Sequence, residues 1–423
     1  MLMHIIKKII KFFRYTLIYI SIYLVLDVFI FYITPNKVKS KIYNKRAHKI
    51  HSKYYHHDLR PHAVFYDNWG NEKNLIYSND LGFKYSNNLK SNFKKKNVLF
   101  LGDSLVEGVG VKYEDTFVGQ IEEIYKDKPI AFFNGSLQSY SNGIYLAKVY
   151  DLVIRKKYQF DEIFIFFTAN DVHDDFFRYK EVDNNYVLNH DDKKNIILLN
   201  FINFVKGNTF IYQIAAELSP PRAGINKIKD AISYIFSEKK IKENHTTNKI
   251  IKPKVSENVI KNLTSRKDYE FLYNEEKLEE WGLKAIYKSL SHLERLLKLG
   301  RENNIKITLV YPYEAPFLLK KPNEKIFNKF IEYFKNLAKK YNSEFILLNN
   351  YYTKFNNDRN AYEELFFMGD VHWNKNGHLR VFQEMNSKVK FYWIFIFDIQ
   401  QTFLMTDLRT FHKSDQNLNI FLN

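Results

Sequence analysis

Apolar and polar positions along the chain fall into three regimes. Residues 15–33 form an almost unbroken apolar run whose only charge is Asp27. Coiled as a helix at about 1.5 Å per residue, this run comes close to the roughly 30 Å hydrocarbon thickness of a bilayer. Residues 36–96 are polar with scattered aromatics, and Tyr77 to Phe83 reads there as a strand entering a turn laid against the main domain. From Asn97 onward, short apolar runs alternate with longer stretches of helical period. Runs at 97–101, 129–133, 161–167, 305–311 and 345–348 predict five buried strands, the fourth stopped by Pro312. Between them Ile286, Leu290, Leu293 and Leu297 recur at three- and four-residue steps, as do Phe327, Phe330, Phe334 and Leu337. Such stripes are the core faces of amphipathic helices. Strands separated by helices predict an α/β domain with a parallel sheet covered on both faces.

The alternation is interrupted over about 176–268. Pro220-Pro221 breaks the chain there, and lysine and asparagine are dense from Lys239 to Lys267. The stretch reads as an insertion over the functional edge of the sheet, where loops commonly shape substrate access. The expected organisation is therefore a stub and apolar helix at 1–35, an approach segment at 36–96, the main domain at 97–390 with its insertion, and a tail at 391–423. In the tail, 391–397 is apolar but too short to span a bilayer.

Composition changes this picture little. The 423 residues suffice for one large domain with appendages, and a 45% hydrophobic content supports a sizeable core. The absence of cysteine excludes disulfides, thiolate metal sites and cysteine nucleophiles. The formal charge of +17, from 64 basic and 47 acidic residues, comes from lysines scattered over the whole length. No nucleic-acid motif accompanies them, so a solvated basic surface is the reading and nucleic acid is not an expected partner. His51, His56, His57 and His62 have no helix to set an i, i+4 ligand face and have lysine among them, so a metal site is not expected there. No cofactor is expected either.

Around the apolar run, Lys7, Lys8, Lys11 and Arg14 precede it and Thr34-Pro35-Asn36 ends it. No small-residue cleavage site follows, which predicts an uncleaved signal-anchor with a short cytoplasmic N-terminus and an extracytoplasmic body. Lys37, Lys39, Lys41, Lys45 and Arg46 on the far side match the N-terminal cluster, so charge alone does not set the orientation. Asp27 reads as a single tolerated charge near the end of the span rather than a partner in a helix bundle.

Candidate chemistry begins where the strand at 97–101 breaks at Gly102-Asp103-Ser104 and a helix follows. A hydroxyl at such a strand-to-helix turn stands at the C-terminal edge of the sheet, where open α/β sheets bind ligands. It can act as a nucleophile only if a base and an oxyanion site come from elsewhere. Near the C-terminus, Asp370-Val371-His372 lies in a loop before the last helix. If that loop faces the same edge, His372 can remove the Ser104 proton while Asp370 holds the imidazole tautomer and stabilises its cation. His378, at the start of the helix, reads as structural.

Gly102-Asp103-Ser104-Leu105, Asn134 to Ser141, Asn170-Asp171 and Asp370-Val371-His372 stand in the order of the four blocks of the SGNH/GDSL hydrolase superfamily, which roughly 75–390 resembles. The resemblance implies a flavodoxin-like three-layer α/β/α sandwich and metal-free acyl ester hydrolysis or transfer. It also implies Ser104 as nucleophile, His372 as base and Asp370 as its orienting acid. The oxyanion site it implies is the Ser104 N–H, the Asn170 side-chain amide and a second-block amide. Pre-aimed donors of this kind are worth about 3 kcal/mol each in the transition state. Three departures stand out. Ser139 occupies the position of the second-block glycine, which leaves its amide usable if the turn needs no positive φ, with Gly135 as the alternative donor. Thr168 replaces the third-block glycine. The Asp-x-His-Trp spacing is tighter than usual and resembles the membrane-anchored branch that decorates cell-surface polysaccharides, including alginate O-acetylation proteins.

The expectation is a membrane-anchored serine esterase or O-acyltransferase acting on an acylated cell-surface glycan. A lysophospholipase or thioesterase at the membrane surface is one alternative, separable by acyl-chain preference. A tethered carbohydrate-binding or assembly protein without catalysis is the other, separable by fluorophosphonate labelling.

Overall fold

The computed structural model describes residues 2–35, 48–69, 72–86, 93–182, 187–190, 209–211, 214, 255–348, 358–389 and 391. Most of the predicted insertion and nearly all of the tail lie outside the described residues.

The N-terminal helix α1 (Leu2–Ile33) contains a segment, Ile10–Ile33, with a mean hydropathy of 2.2, apolar and long enough to cross a membrane or to serve as a signal sequence. Most of its large apolar side chains are exposed. Asp27 departs from the expectation of a lone tolerated charge. Its carboxylate is buried and accepts a 2.7 Å hydrogen bond from the Ile211 N–H, while Tyr23 and Thr209 share a hydroxyl hydrogen bond and Phe31 meets the Phe210 ring edge-on. A carboxylate this far from water needs a donor, and the 209–211 backbone supplies one.

After α1 come the short strands β1 (Lys49–Ser52), β2 (His56–Leu59), β3 (Val64–Trp69), β4 (Glu72–Ser78) and β5 (Lys84–Tyr85). β1 and β2 form a separate antiparallel hairpin. The five strands expected from the apolar runs are present as β6 (Lys96–Leu101), β7 (Ile130–Asn134), β8 (Glu162–Phe166), β11 (Lys306–Tyr311) and β12 (Glu344–Leu347). A hairpin of β9 (Tyr179–Val182) and β10 (Val187–His190) lies between β8 and β11 in the chain.

The main sheet has eight strands in the order β12-β11-β8-β6-β7-β5-β4-β3. The five strands from β12 to β7 pair in parallel, and β5, β4 and β3 extend the edge in antiparallel fashion. Chain direction across the sheet reverses at β6, since β7 lies on one side of it and β8 on the other. That reversal opens a crevice at the C-terminal ends of these strands. β6 is buried throughout because alternate residues serve two cores. Leu99 and Leu101 pack with Ile144, Leu293 and Phe334, whereas Val98 and Phe100 pack with Phe117, Val381 and Met385.

The first face is covered by α4 (Asn142–Tyr150), α6 (Leu283–Glu302) and α7 (Glu324–Lys340), and the second by α3 (Phe117–Ile124) and α8 (Lys375–Lys388). Two further helices, α2 (Ser104–Glu107) and α5 (Ala169–Phe177), start at the ends of β6 and β8. The architecture is thus an α/β sandwich with a mixed sheet. Phe391, the described residue of the tail, is buried and sets its ring against Phe100, Phe132 and Phe164.

Candidate active site

The turn leaving β6 is built around two local constraints. A Cβ at Gly102 would lie 2.3 Å from a Val106 methyl and 3.2 Å from Phe166 Cβ, so only glycine lets the chain double back here. Asp103 then caps α2, its Oδ1 accepting from the Leu105 N–H at 2.9 Å. Ser104 is therefore the first residue of a helix, and its N–H has no acceptor among the described residues.

The loop before α8 reaches the same edge. His372 Nε2 lies 2.8 Å from Ser104 Oγ, and His372 Nδ1 lies 2.5 Å from Asp370 Oδ1. With the Nδ1–H donated to the carboxylate, Nε2 is the acceptor for the serine hydroxyl. The single residue between Asp370 and His372 is accommodated because Asp370 Oδ1 also accepts from the Val371 and His372 N–H groups, at 2.6 and 3.2 Å. The carboxylate folds over its own following amides while reaching the ring. Burial pushes the Asp370 pKa up, but hydrogen bonds and charge from His372 and the two amides outweigh it and hold it below the ordinary carboxylate value.

Trp69, which sequence reasoning did not single out, completes this group. It donates from Nε1 to Asp370 Oδ2 at 3.1 Å and meets the His372 ring nearly perpendicularly, with centroids 4.9 Å apart. It reaches the site from β3, at the far antiparallel edge of the sheet. Nothing in its local sequence signals the contact, which exists only because the sheet and the 370 loop meet.

On the opposite side of Ser104, Asn170 is the second residue of α5. Its Oδ1 accepts from Thr168 Oγ at 2.8 Å and from the Tyr269 hydroxyl at 3.4 Å. With the oxygen so engaged, one N–H of the amide donates to Asp103 Oδ2 at 3.3 Å, which leaves the second N–H of this cleft-lining residue as a donor. Thr168, in place of the expected glycine, thus supplies the hydroxyl that orients the amide.

The second block forms a β-turn from Leu137 to Tyr140, closed by a 3.1 Å hydrogen bond from Tyr140 N–H to Leu137 C=O. Ser139, its third residue, has φ +66°, so the turn does take the left-handed conformation usually left to glycine. Its N–H has no acceptor among the described residues, and the residue lines the cleft beside Ser104 and Asn170. Gly135, the alternative donor, is not available. Its N–H already donates to Phe100 C=O at 3.0 Å, continuing the β6–β7 ladder.

The cleft over these groups has a volume of about 210 Å³ and is lined mainly by polar side chains, among them Asp174, Arg178, Arg266, Asp268 and Glu314. Arg178 pairs with Asp174 at 3.0 Å, and Arg266 pairs with Asp268. These residues stand at or near the two ends of the predicted insertion. His378 lies beneath the site, fully buried between the Phe117 and Trp373 rings, and burial lowers its pKa to about 3.

In class, then, this is an α/β protein with a serine, an imidazole and a carboxylate in hydrogen-bonding sequence at the switch point of its sheet. No family model matches the chain, and no curated protein matches it significantly in sequence. Among solved structures it is similar to Axe2, an acetylxylan esterase from Geobacillus stearothermophilus, at 13% identity over 71% of this chain and 96% of that one, with a TM-score of 0.36. It is also similar to the acetyl xylan esterase AlAXEase, at 15% identity over 70% of this chain and 100% of that one, TM-score 0.36. A third is the psychrotrophic esterase EstA from Pseudoalteromonas sp., at 12% identity over 69% and 96%, TM-score 0.34.

Proposed function

We propose that the chain is a serine-dependent acyl esterase or O-acyltransferase acting on an O-acylated glycan at the outer face of a membrane. The observation that carries this reading is the 2.8 Å approach of His372 Nε2 to Ser104 Oγ, between residues far apart in sequence.

In the proposed reaction Ser104 Oγ attacks the ester carbonyl as His372 Nε2 takes its proton, and Asp370 stabilises the imidazolium. The carbonyl oxygen, now an oxyanion, sits among the N–H groups of Ser104 and Ser139 and the Asn170 amide. Collapse of the intermediate expels the alcohol, which takes the proton from His372 and leaves an acyl-serine. Water then completes hydrolysis, or a sugar hydroxyl completes transfer. Both acceptors use the same imidazole as base.

Two features support a short acyl group on a sugar over a long-chain lipid or thioester. The cleft is small, and polar side chains such as Gln138, Ser139, Asn170, Arg178 and Arg266 outnumber Leu105, Val371 and Tyr269 in its lining, which is not an apolar groove. Placement at the membrane rests on α1 as an uncleaved single-pass anchor with the catalytic body outside.

Ser104→Ala is expected to abolish turnover of p-nitrophenyl acetate and labelling by a fluorophosphonate. The wild-type rate is expected to fall steeply as the acyl chain lengthens beyond a few carbons. A wild-type chain that is neither labelled nor active would favour the tethered binder instead, and a preference for long chains would favour the lipid esterase.

A further inference from the structure

The Ser139 N–H belongs to the central peptide of the Leu137–Tyr140 turn, the one joining Gln138 to Ser139. In a trans peptide the C=O and N–H point in opposite directions, so whatever holds the Gln138 oxygen also aims the Ser139 N–H. That oxygen is 2.8 Å from His57 Nε2, on the β2 strand of the hairpin that follows the anchor. The rest of Gln138 is held as well. Its N–H donates to Glu107 Oε2 at 2.6 Å, and its side-chain Oε1 accepts from Lys49 Nζ, on β1, also at 2.6 Å. Tyr179 donates to the Ser139 C=O at 2.6 Å from the far side.

The clamp opposes a specific alternative. Type I and type II turns differ by a flip of the central peptide, and the third residue has negative φ in the first and positive φ in the second. Glycine favours type II, whereas serine favours the form with negative φ. Left to its own preference, the Gln138–Ser139 peptide would flip and turn the Ser139 N–H away from the cleft. The observed φ of +66° is the form that presents it.

We propose that His57, assisted by Lys49, is a positioning residue for the oxyanion site, locking the Gln138–Ser139 peptide in the orientation that a glycine would otherwise secure. The inference rests on the esterase reading and deepens it, because it makes the hairpin between anchor and body part of the catalytic apparatus. The tautomer is fixed by neighbours. Gln138 C=O requires a proton on His57 Nε2, so His57 Nδ1, 2.8 Å from His56 Nδ1, is the acceptor there. Burial lowers the His57 pKa to about 3, so the ring stays neutral and the donor is present at every working pH.

The test uses the full-length chain in detergent, with p-nitrophenyl acetate as substrate and a small alkylboronic acid as a tetrahedral probe of the oxyanion site. His57→Ala is expected to lower kcat about tenfold or more with KM within about twofold, since losing an oxyanion donor outright costs 10²–10³. Alkylboronate affinity is expected to fall in the same proportion. His57→Gln, which restores a donor, should recover much of the loss. So should His57→Ala combined with Ser139→Gly, because glycine restores the turn preference without the clamp. A folded His57→Ala chain with unchanged kcat, or a kcat loss that Ser139→Gly does not relieve, overturns the proposal. Should His57→Ala fail to fold, Lys49→Met carries the test, with a several-fold loss of kcat expected on the same grounds and none overturning it. If the wild-type chain itself has no turnover, the esterase reading falls and this inference falls with it. Activity that persists unaltered in the variants sinks the clamp alone.

Discussion

At the scale of single residues, the Asp370 carboxylate is held at both oxygens, Oδ1 by His372 and the loop's own amides and Oδ2 by the Trp69 indole. Ser104 and the Asp370-Val371-His372 loop are recognisable locally, as a hydroxyl at a strand-end turn and a carboxylate two residues from an imidazole. Trp69 is not, because it ends an edge strand, Val64–Trp69, and meets Asp370 only in the folded sheet. Its hydrogen bond goes to the carboxylate oxygen that His372 does not use, so it fixes the plane of the acid. Trp69→Phe keeps a ring against His372 and removes only that donor. Hydrogen bonds to a charged group are worth about 1.5–3 kcal/mol, so kcat/KM is expected to fall about tenfold, carried by kcat. A steady-state comparison on p-nitrophenyl acetate checks this, and a variant at wild-type rate would show that Asp370 is held well enough by His372 and its own loop.

Among the elements, the five parallel strands and the helices over them were readable from periodicity because their apolar runs are bounded by breakers. The antiparallel strands β3, β4 and β5 were not readable as members of the same sheet. β3 and β4 mix apolar and polar residues with no unbroken apolar run bounded by breakers, as Val64-Phe65-Tyr66-Asp67-Asn68-Trp69 and Glu72-Lys73-Asn74-Leu75-Ile76-Tyr77-Ser78, and β5 has only two residues. What fixes β5 is its partner set rather than its pattern. The Lys84 ammonium is fully buried and donates to the carbonyls of Gly108 and Val111 at 2.6 and 2.5 Å, with Glu107 as the leading nearby opposite charge. Burial lowers its pKa, and the acidic neighbours Glu107, Asp67 and Glu114 oppose the shift. This one side chain ties the antiparallel extension of the sheet to the loop after α2, and so to the Gly102-Asp103-Ser104 turn. Lys84→Met would leave two carbonyls without their donor and remove an opposite charge beside the buried Glu107 carboxylate. A loss of about 3 kcal/mol in unfolding free energy is expected, measured by urea denaturation. A loss below about 1 kcal/mol would mean that water takes over the ammonium's contacts.

On the scale of the whole molecule, the α/β class and the common edge of the site followed from the sequence, while the electrostatics of the cleft did not, because they depend on burial. Glu314, after β11, is buried in the cleft wall. It is held by the Tyr311 hydroxyl and by the Ala169 N–H at 3.2 Å. Burial raises its pKa to about 8, against partial compensation by those donors and Tyr269, and Asp103 adds to the rise. The folded chain therefore keeps a proton on Glu314 that an unfolded glutamate, with its ordinary value of 4.5, releases. Between those limits the native state binds more protons, so its stability declines as pH rises, and the loss is complete only above about pH 8. A shift of this size is linked to a few kcal/mol. Glu314→Gln keeps the shape without the titration, so its melting temperature should be flatter than wild type between pH 5 and 9. The same ionisation would place a second negative charge beside Asp103, near the oxyanion that the proposed reaction develops. Wild-type turnover is therefore expected to fall above about pH 8, and the Gln variant to retain its rate there. Parallel melting and rate profiles for the two proteins would mean that water or a bound cation already neutralises this wall of the cleft.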